Sequence, residues 1–244
     1  MISFGLSDIG NVRKINQDSY FVSEKANEIL AIVCDGIGGG NAGDVASDLV
    51  CDIIKESFKK QKEFSTIKEL REWLNLIITK ANEAIIKCSE QIKEYQGMGT
   101  TLVGYYSGPI GKVVINIGDS RVYALADNNL EQITYDHTLV YDMYKRGILS
   151  EAQFKVHPHK NVISNALGAN INFKIDFHEL KLEKVKMLLC SDGLSDMISD
   201  EEIKKILISN TSIAEQAEQL VKLAKNAGGH DNVTVVIVED KKND

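Results

Sequence analysis

Strand-like runs come in batches along this chain and helical patterns come in pairs, and no other sequence feature narrows the fold as much. Four strand-like runs stand close together: Thr101–Ser107, Lys112–Ile117, Arg121–Ala126 and Leu130–Thr134. Three more open the chain at about 2–8, 19–24 and 29–34. Between the batches lie two helical patterns. One starts at Asp44 and carries Val45, Leu49, Ile53, Ile54 and Phe58 at helical spacing; the other covers about 66–93. A polar, irregular stretch over 137–170 holds short helices, one of them opened by the capping box Ser150-Glu-Ala-Gln153. Strands are predicted at about 172–180 and 186–190, then two helices with capping boxes at Ser199-Asp-Glu-Glu202 and Ser212-Ile-Ala-Glu215. Gly228-Gly229 stops the second helix, and a last strand covers 233–239. This order predicts an α+β fold rather than a regular βαβ array. The chain has only two prolines, no linker and no internal repeat, so one domain over 1–244 is expected.

The charge balance excludes some partners. Against 28 Lys and Arg stand 35 Asp and Glu, a net charge of −7, with no basic run or tail. That argues against nucleic acid or an anionic membrane as a partner. The longest apolar runs, Ile29–Cys34 and Val233–Val238, are strand-sized, far short of the ~20 residues of a membrane helix. Residues 1–8 lack the basic-then-apolar pattern of a signal peptide. A cytoplasmic monomer is the expectation. The four cysteines form no CxxC pair and read as buried, reduced thiols.

Chemistry first shows in where the aspartates fall. Asp35-Gly36 closes the apolar strand Ile29–Cys34, and Asp192-Gly193 closes Met187–Cys190. Asp119 follows Val113–Ile117 across a glycine, Asp231 precedes Val233–Val238, and Asp18 precedes Ser19–Val22. Any one of these reads equally well as a turn residue, since Asp-Gly is a common turn pair. Together they place five carboxylates where strand ends can converge. Such a cluster repels itself and needs cations, and oxygen-only ligands select hard ions such as Mg²⁺ or Mn²⁺.

Other chemistries lack their motifs. Gly38-Gly-Gly-Asn-Ala-Gly43 fits GxGxxG between a strand and a helix, but no acidic residue ends a second strand about twenty residues on. No Walker loop, GxSxG elbow, cysteine-phosphatase loop or DxDx[TV] signature occurs, so a covalent protein nucleophile is not expected. His157 and His159 read as solvated loop side chains, His230 as a surface group or one behind the ligands, and His137 as a group that orients its loop.

Eight segments now point to one family. They are Ser7–Asp18, Val33–Gly39, Gly97–Leu102, Ile117–Arg121, Asp136–Thr138, Asn165–Gly168, Cys190–Leu194 and Gly229–Thr234. In this order, over nearly the whole chain, they resemble the metal-dependent protein phosphatases of type 2C in their compact bacterial form. The resemblance implies two antiparallel sheets packed as a sandwich, helix pairs outside, and a metal site at one end between the sheets. Asp35 would bridge two ions, Asp192 and Asp231 would complete one of them, and the Gly36 carbonyl would serve the other, whose waters Asp18 would hold. Asp119 with Asp192 matches a third metal position, Arg13 would grip the substrate phosphate, and 137–170 corresponds to the flap beside the site. Two ions roughly 3.5–4 Å apart would activate a bridging water for direct attack on phosphoserine or phosphothreonine. The implied partners are phosphorylated proteins, substrates of a cognate Ser/Thr kinase.

Three residues depart from the family pattern. Ile37 stands where many relatives carry a histidine or methionine, Gly40 where a histidine is common, and Asn165 where an arginine is usual. The Gly40 and Asn165 differences bear on metal affinity or substrate preference, and Ile37 leaves the general acid unassigned. Two alternatives stay open: a hydrolase of small phosphate esters, and an inactive metal-binding regulatory module, against which the intact Asp18, Asp35, Asp192, Asp231 and Arg13 speak.

Overall fold

A computed structural model of the chain describes residues 1–25, 27–38, 42–155, 157–159, 161–169, 172–182 and 184–240. In chain order the strands are β1 (Ile2–Asp8), β2 (Asp18–Glu24), β3 (Ile29–Ile37), β4 (Gly99–Thr100), β5 (Leu102–Gly108) and β6 (Gly111–Ile117). They continue with β7 (Arg121–Ala126), β8 (Asn129–Gln132), β9 (Asp176–Leu180), β10 (Lys186–Cys190) and β11 (Val233–Glu239). The helices are α1 (Gly43–Lys60), α2 (Ile67–Gln91), α3 (Leu139–Lys145), α4 (Glu151–Lys155), α5 (Asp192–Ser195), α6 (Asp200–Leu207) and α7 (Ile213–Asn226). One sheet runs β1-β11-β10-β7-β8; the other runs β2-β3-β5-β6-β9, with β4 attached to β3. Every ladder is antiparallel.

The layers follow from strand alternation. In β3, Ile29, Ala31 and Val33 face the other sheet, where they meet a layer that includes Val122, Ala124, Met187, Leu189, Val236 and Val238. Leu30, Ile32 and Cys34 point the opposite way, beneath α1 and α2. Leu188, Cys190, Val235 and Ile237 likewise lie under α6 and α7. A strand covered on both faces has no polar alternation, which explains why Ile29–Cys34 and Val233–Val238 read as unbroken apolar runs. The result is the helix–sheet–sheet–helix sandwich that the family resemblance implies.

Departures from the predicted elements have local causes. β3 runs to Ile37 because β4, more than sixty residues further on, pairs Gly36 with Thr100 and Ile37 with Gly99. β9 begins at Asp176 rather than near 172. The Asn165 side chain takes both backbone groups of Lys174, accepting from its N–H at 3.0 Å and donating to its carbonyl at 2.8 Å, so Lys174 cannot join the ladder. The short helix α5 carries no periodic signal and was not expected. All four cysteines are free thiols, three of them buried. Among the described residues no helix is long and apolar enough to cross a membrane.

Candidate active site

Sheet register brings the aspartates together. The β2–β3 ladder sets Asp18 opposite Asp35. β10 and β11 are neighbours, and Ser191 N–H extends their pairing by donating to the Thr234 carbonyl at 3.1 Å, which places Asp192 beside the Asp231 turn. Asp119 lies in the connection between β6 and β7 at the same end of the sandwich. The Asp35 backbone is held on both sides: its N–H donates to Thr101 Oγ1 at 3.0 Å, and its carbonyl accepts from Thr101 N–H and Thr100 Oγ1, both at 2.9 Å. Gly36 follows directly, packed so closely on the Gly43 and Gln17 carbonyls that a Cβ would collide with both.

The electrostatics record how close these groups are. Burial, then the carboxylates of Asp18, Asp192, Asp119 and Asp231, push Asp35 well above the usual carboxylate range. Burial raises Asp18 to about 6, although Ser191 Oγ donates to its Oδ2 at 2.6 Å. Burial, then Asp231, Asp196 and Asp18, raise Asp192 to about 7. Asp119 is pushed well above its ordinary value by burial and then by Asp192. Three oxygens here, Asp18 Oδ1, Asp119 Oδ1 and Asp192 Oδ1, are buried without a hydrogen-bond partner. Native interiors rarely leave so many acceptors unmatched, and a bound cation answers both the orphaned oxygens and the repulsion. Among the described residues no three acidic, His or Cys side chains close into a ready-made cage. The donors are all carboxylate oxygens, which suit hard ions such as Mg²⁺ or Mn²⁺. The residues present therefore fit such ions.

Arg13 belongs to the same site. Its Nη2 donates to Asp231 Oδ2 at 2.6 Å, with the Arg13 side chain 48% exposed, so the guanidinium lies at the open edge of the cluster. Asn232, buried between them, holds the Arg13 loop there. Its Nδ2 donates to the carbonyls of Ile9 at 2.9 Å and Ile15 at 3.0 Å, and its Oδ1 accepts from Gln17 N–H at 2.9 Å. Asn232→Ala strands three backbone groups; a cost of about 2–4 kcal/mol is expected, read as a Tm fall of roughly 4–16 °C in a thermal melt. A melt unchanged within a degree would show that the clamp is dispensable.

Asn232 and Ser191 escaped the sequence reading, although each adjoins an aspartate that was singled out. Ser191 accepts from Thr234 N–H at 3.0 Å while donating to Asp18, tying one sheet to the other. The signal available was adjacency alone, since the partners lie about 40 to more than 200 residues away. His137 orients its loop, as expected: Nδ1 accepts from Gly118 N–H at 3.2 Å and faces Asn165 Nδ2 at 2.8 Å, leaving Nε2 to donate to Asp176 at 3.1 Å. Asn165 thus links Lys174 to His137, which in turn reaches the loop that carries Asp119 through Gly118. His157 is half-buried, whereas His159 and His230 are exposed. Ile37 packs beside Gly99 and carries no titratable group. The Gly40 position lies outside the described residues.

The sequence profile of the family described as Protein phosphatase 2C matches residues 11–227. The serine/threonine phosphatase Stp of Listeria welshimeri is 37% identical over 235 residues, spanning 96% of this chain and 93% of the relative. The crystal structure of the serine/threonine phosphatase Stp1 from Staphylococcus aureus superposes with a TM-score of 0.90 at 31% identity, covering 98% of this chain and 95% of that one. The catalytic domain of the serine/threonine protein phosphatase PstP in complex with two manganese ions gives a TM-score of 0.81 at 34% identity, covering 98% and 97%. The chain belongs to the protein phosphatase 2C family.

Proposed function

We propose that this chain is a metal-dependent protein serine/threonine phosphatase that hydrolyses phosphoserine and phosphothreonine without a phosphoenzyme. The carrying observation is the convergence of Asp18, Asp35, Asp119, Asp192 and Asp231, three of them with orphaned buried oxygens, beside an arginine at the open edge. Divalent ions, Mn²⁺ or Mg²⁺, would supply water of lowered pKa and neutralise phosphoryl charge. Asp35, Asp192, Asp231 and the Gly36 carbonyl would hold two of them, Asp18 would accept hydrogen bonds from their waters, and Asp119 with Asp192 would offer a third position. Arg13 presents a planar fork that matches two phosphoryl oxygens, and a phosphate dianion competes with Asp231 for the same N–H groups. Ile37 carries no titratable group, so the donor of the leaving-group proton stays unassigned. The substrates are phosphoproteins, opposed to a Ser/Thr kinase, and the working unit is a cytoplasmic monomer.

The test measures hydrolysis of a phosphothreonine peptide and of a small aryl phosphate with Mn²⁺ or with EDTA. Peptide turnover should require the metal. Arg13→Ala should lower kcat/KM roughly 10- to 100-fold, the worth of a hydrogen bond to a charged group at ~1.5–3 kcal/mol. Turnover that survives EDTA would refute metal dependence. Aryl phosphate turnover with none on any phosphopeptide would shift the reading to a small-ester hydrolase.

A further inference from the structure

Asp119 lies in the turn between β6 and β7, flanked by Gly118 and Ser120. Its Oδ1 is buried without a hydrogen-bond partner, so no neighbouring side chain holds that oxygen, and the backbone on either side is left to aim it. We infer that His137 is the positioning residue that fixes this carboxylate for the third metal position, a role that rests on the metal reading of Asp119 above.

The two flanks of Asp119 are held differently. On one side the buried Ser120 and Thr101 hydroxyls share a hydrogen bond at 2.7 Å, and Thr101 Oγ1 also accepts the Asp35 N–H at 3.0 Å. That flank is tied to the backbone of Asp35. On the other side Gly118 has a φ of +107°, and a Cβ there would lie 2.6 Å from the Thr101 side chain, so the position requires glycine. A glycine leaves a flexible joint directly beside the carboxylate. His137 closes that joint from both sides: its N–H donates to the Gly118 carbonyl at 2.9 Å, and its ring Nδ1 accepts the Gly118 N–H at 3.2 Å. One residue therefore takes both polar backbone groups of Gly118.

The ring plays this part only with Nδ1 unprotonated, and its surroundings select that tautomer. Nε2 lies 3.1 Å from Asp176 Oδ2, an acceptor, which puts the ring proton on Nε2. Asn165 Nδ2, a donor, lies 2.8 Å from Nδ1 and likewise calls for a bare nitrogen there. The backbone of His137 is anchored as well, its carbonyl accepting from the Ser164 N–H at 2.8 Å. The two residues before it grip the strands on either side of the turn. The Tyr135 carbonyl accepts from Asn116 Nδ2 on β6 at 2.8 Å, and the Asp136 carboxylate takes Arg121 on β7 with both oxygens. His137 is thus rigid relative to the turn it restrains.

Two substitutions separate the ends of the ring. His137→Asn places an oxygen near the Nδ1 position and keeps an acceptor for Gly118, whereas His137→Gln reaches toward Asp176 and leaves Gly118 without one. The experiment is Mn²⁺ calorimetry on wild type, Asp119→Ala, both His137 variants and the double variant Asp119→Ala with His137→Gln. Asp119→Ala should remove one ion from the stoichiometry. His137→Gln should weaken that same ion roughly tenfold or more, His137→Asn by about threefold at most. In the double variant His137→Gln should add nothing to the loss, because the group it positions is gone. In EDTA, hydrogen exchange at the Gly118 amide should be faster in His137→Gln than in His137→Asn or wild type. Equal Mn²⁺ binding by the Asn and Gln variants would overturn the role of His137 alone, whether both match wild type or both weaken every ion through the fold. An unchanged stoichiometry in Asp119→Ala would overturn the metal reading of Asp119 and the role of His137 with it.

Discussion

Asp35→Asn should lower kcat by about 10³-fold or more, ~4 kcal/mol of transition-state stabilisation, while leaving the chelated protein at least as stable as wild type. The Asp35 carboxylate is opposed by those of Asp18, Asp192, Asp119 and Asp231. In the chelated protein that position is a source of repulsion, so an amide of the same shape relieves it. With metal, the same negative charge would offset the cations, and the amide would not replace it. A structural role for Asp35 would predict the opposite pattern, a lower melting temperature whether or not metal is present. Mn²⁺ at a hundredfold its Kd should stabilise wild type by about 2.7 kcal/mol, read as a Tm rise of roughly 5–11 °C. In Asp35→Asn that rise should vanish. A variant that keeps turnover within tenfold of wild type, or keeps the Mn²⁺-induced rise, would remove Asp35 from the metal-holding role.

Local signals in this sequence carry further than long-range ones. The capping boxes at Ser199 and Ser212 both form in full, because each needs only residues three apart. The convergence of Asp18, Asp35, Asp119, Asp192 and Asp231 at one end of the sandwich is legible because each stands where an apolar strand starts or stops, and strand ends share an edge. What holds that edge is not legible in the same way. The clamp by Asn232 reaches residues more than two hundred positions away, and the Ser191 bridge to Asp18 spans 173. The Arg121–Asp136 pair likewise depends on β7 lying beside the loop after β8. Asn165 delays the start of the strand predicted over 172–180 by taking the backbone groups of Lys174, and propensity has no way to register that.

Without metal, stability should fall as pH rises from about 4 to about 7, and Mn²⁺ should reverse that slope. Burial raises Asp18 from 3.8 to about 6, and raises Asp192 from 3.8 to about 7 with the neighbouring carboxylates adding to it. Between these limits the folded chain binds more protons than the unfolded one, so protonation favours the fold. The contribution is complete below pH 3.8 and disappears as the pH passes the folded-state values. For Asp18 alone the rise corresponds to roughly 3 kcal/mol, or about 6–12 °C in Tm. Asp8 and Asp176 act in the other direction, both lowered, with Lys225 pairing Asp8 and Lys174 and His137 pairing Asp176 against their burial. Their contributions are lost only below pH 3.8, outside this window. Mn²⁺ binds the ionised carboxylates and must displace the protons, so its stabilisation should grow across the same interval in which the chelated protein weakens. Thermal melts in EDTA and in Mn²⁺ at pH 4.5, 5.5, 6.5 and 7.5 would therefore diverge steadily. Parallel curves would mean that the aspartate cluster does not couple proton release to metal binding.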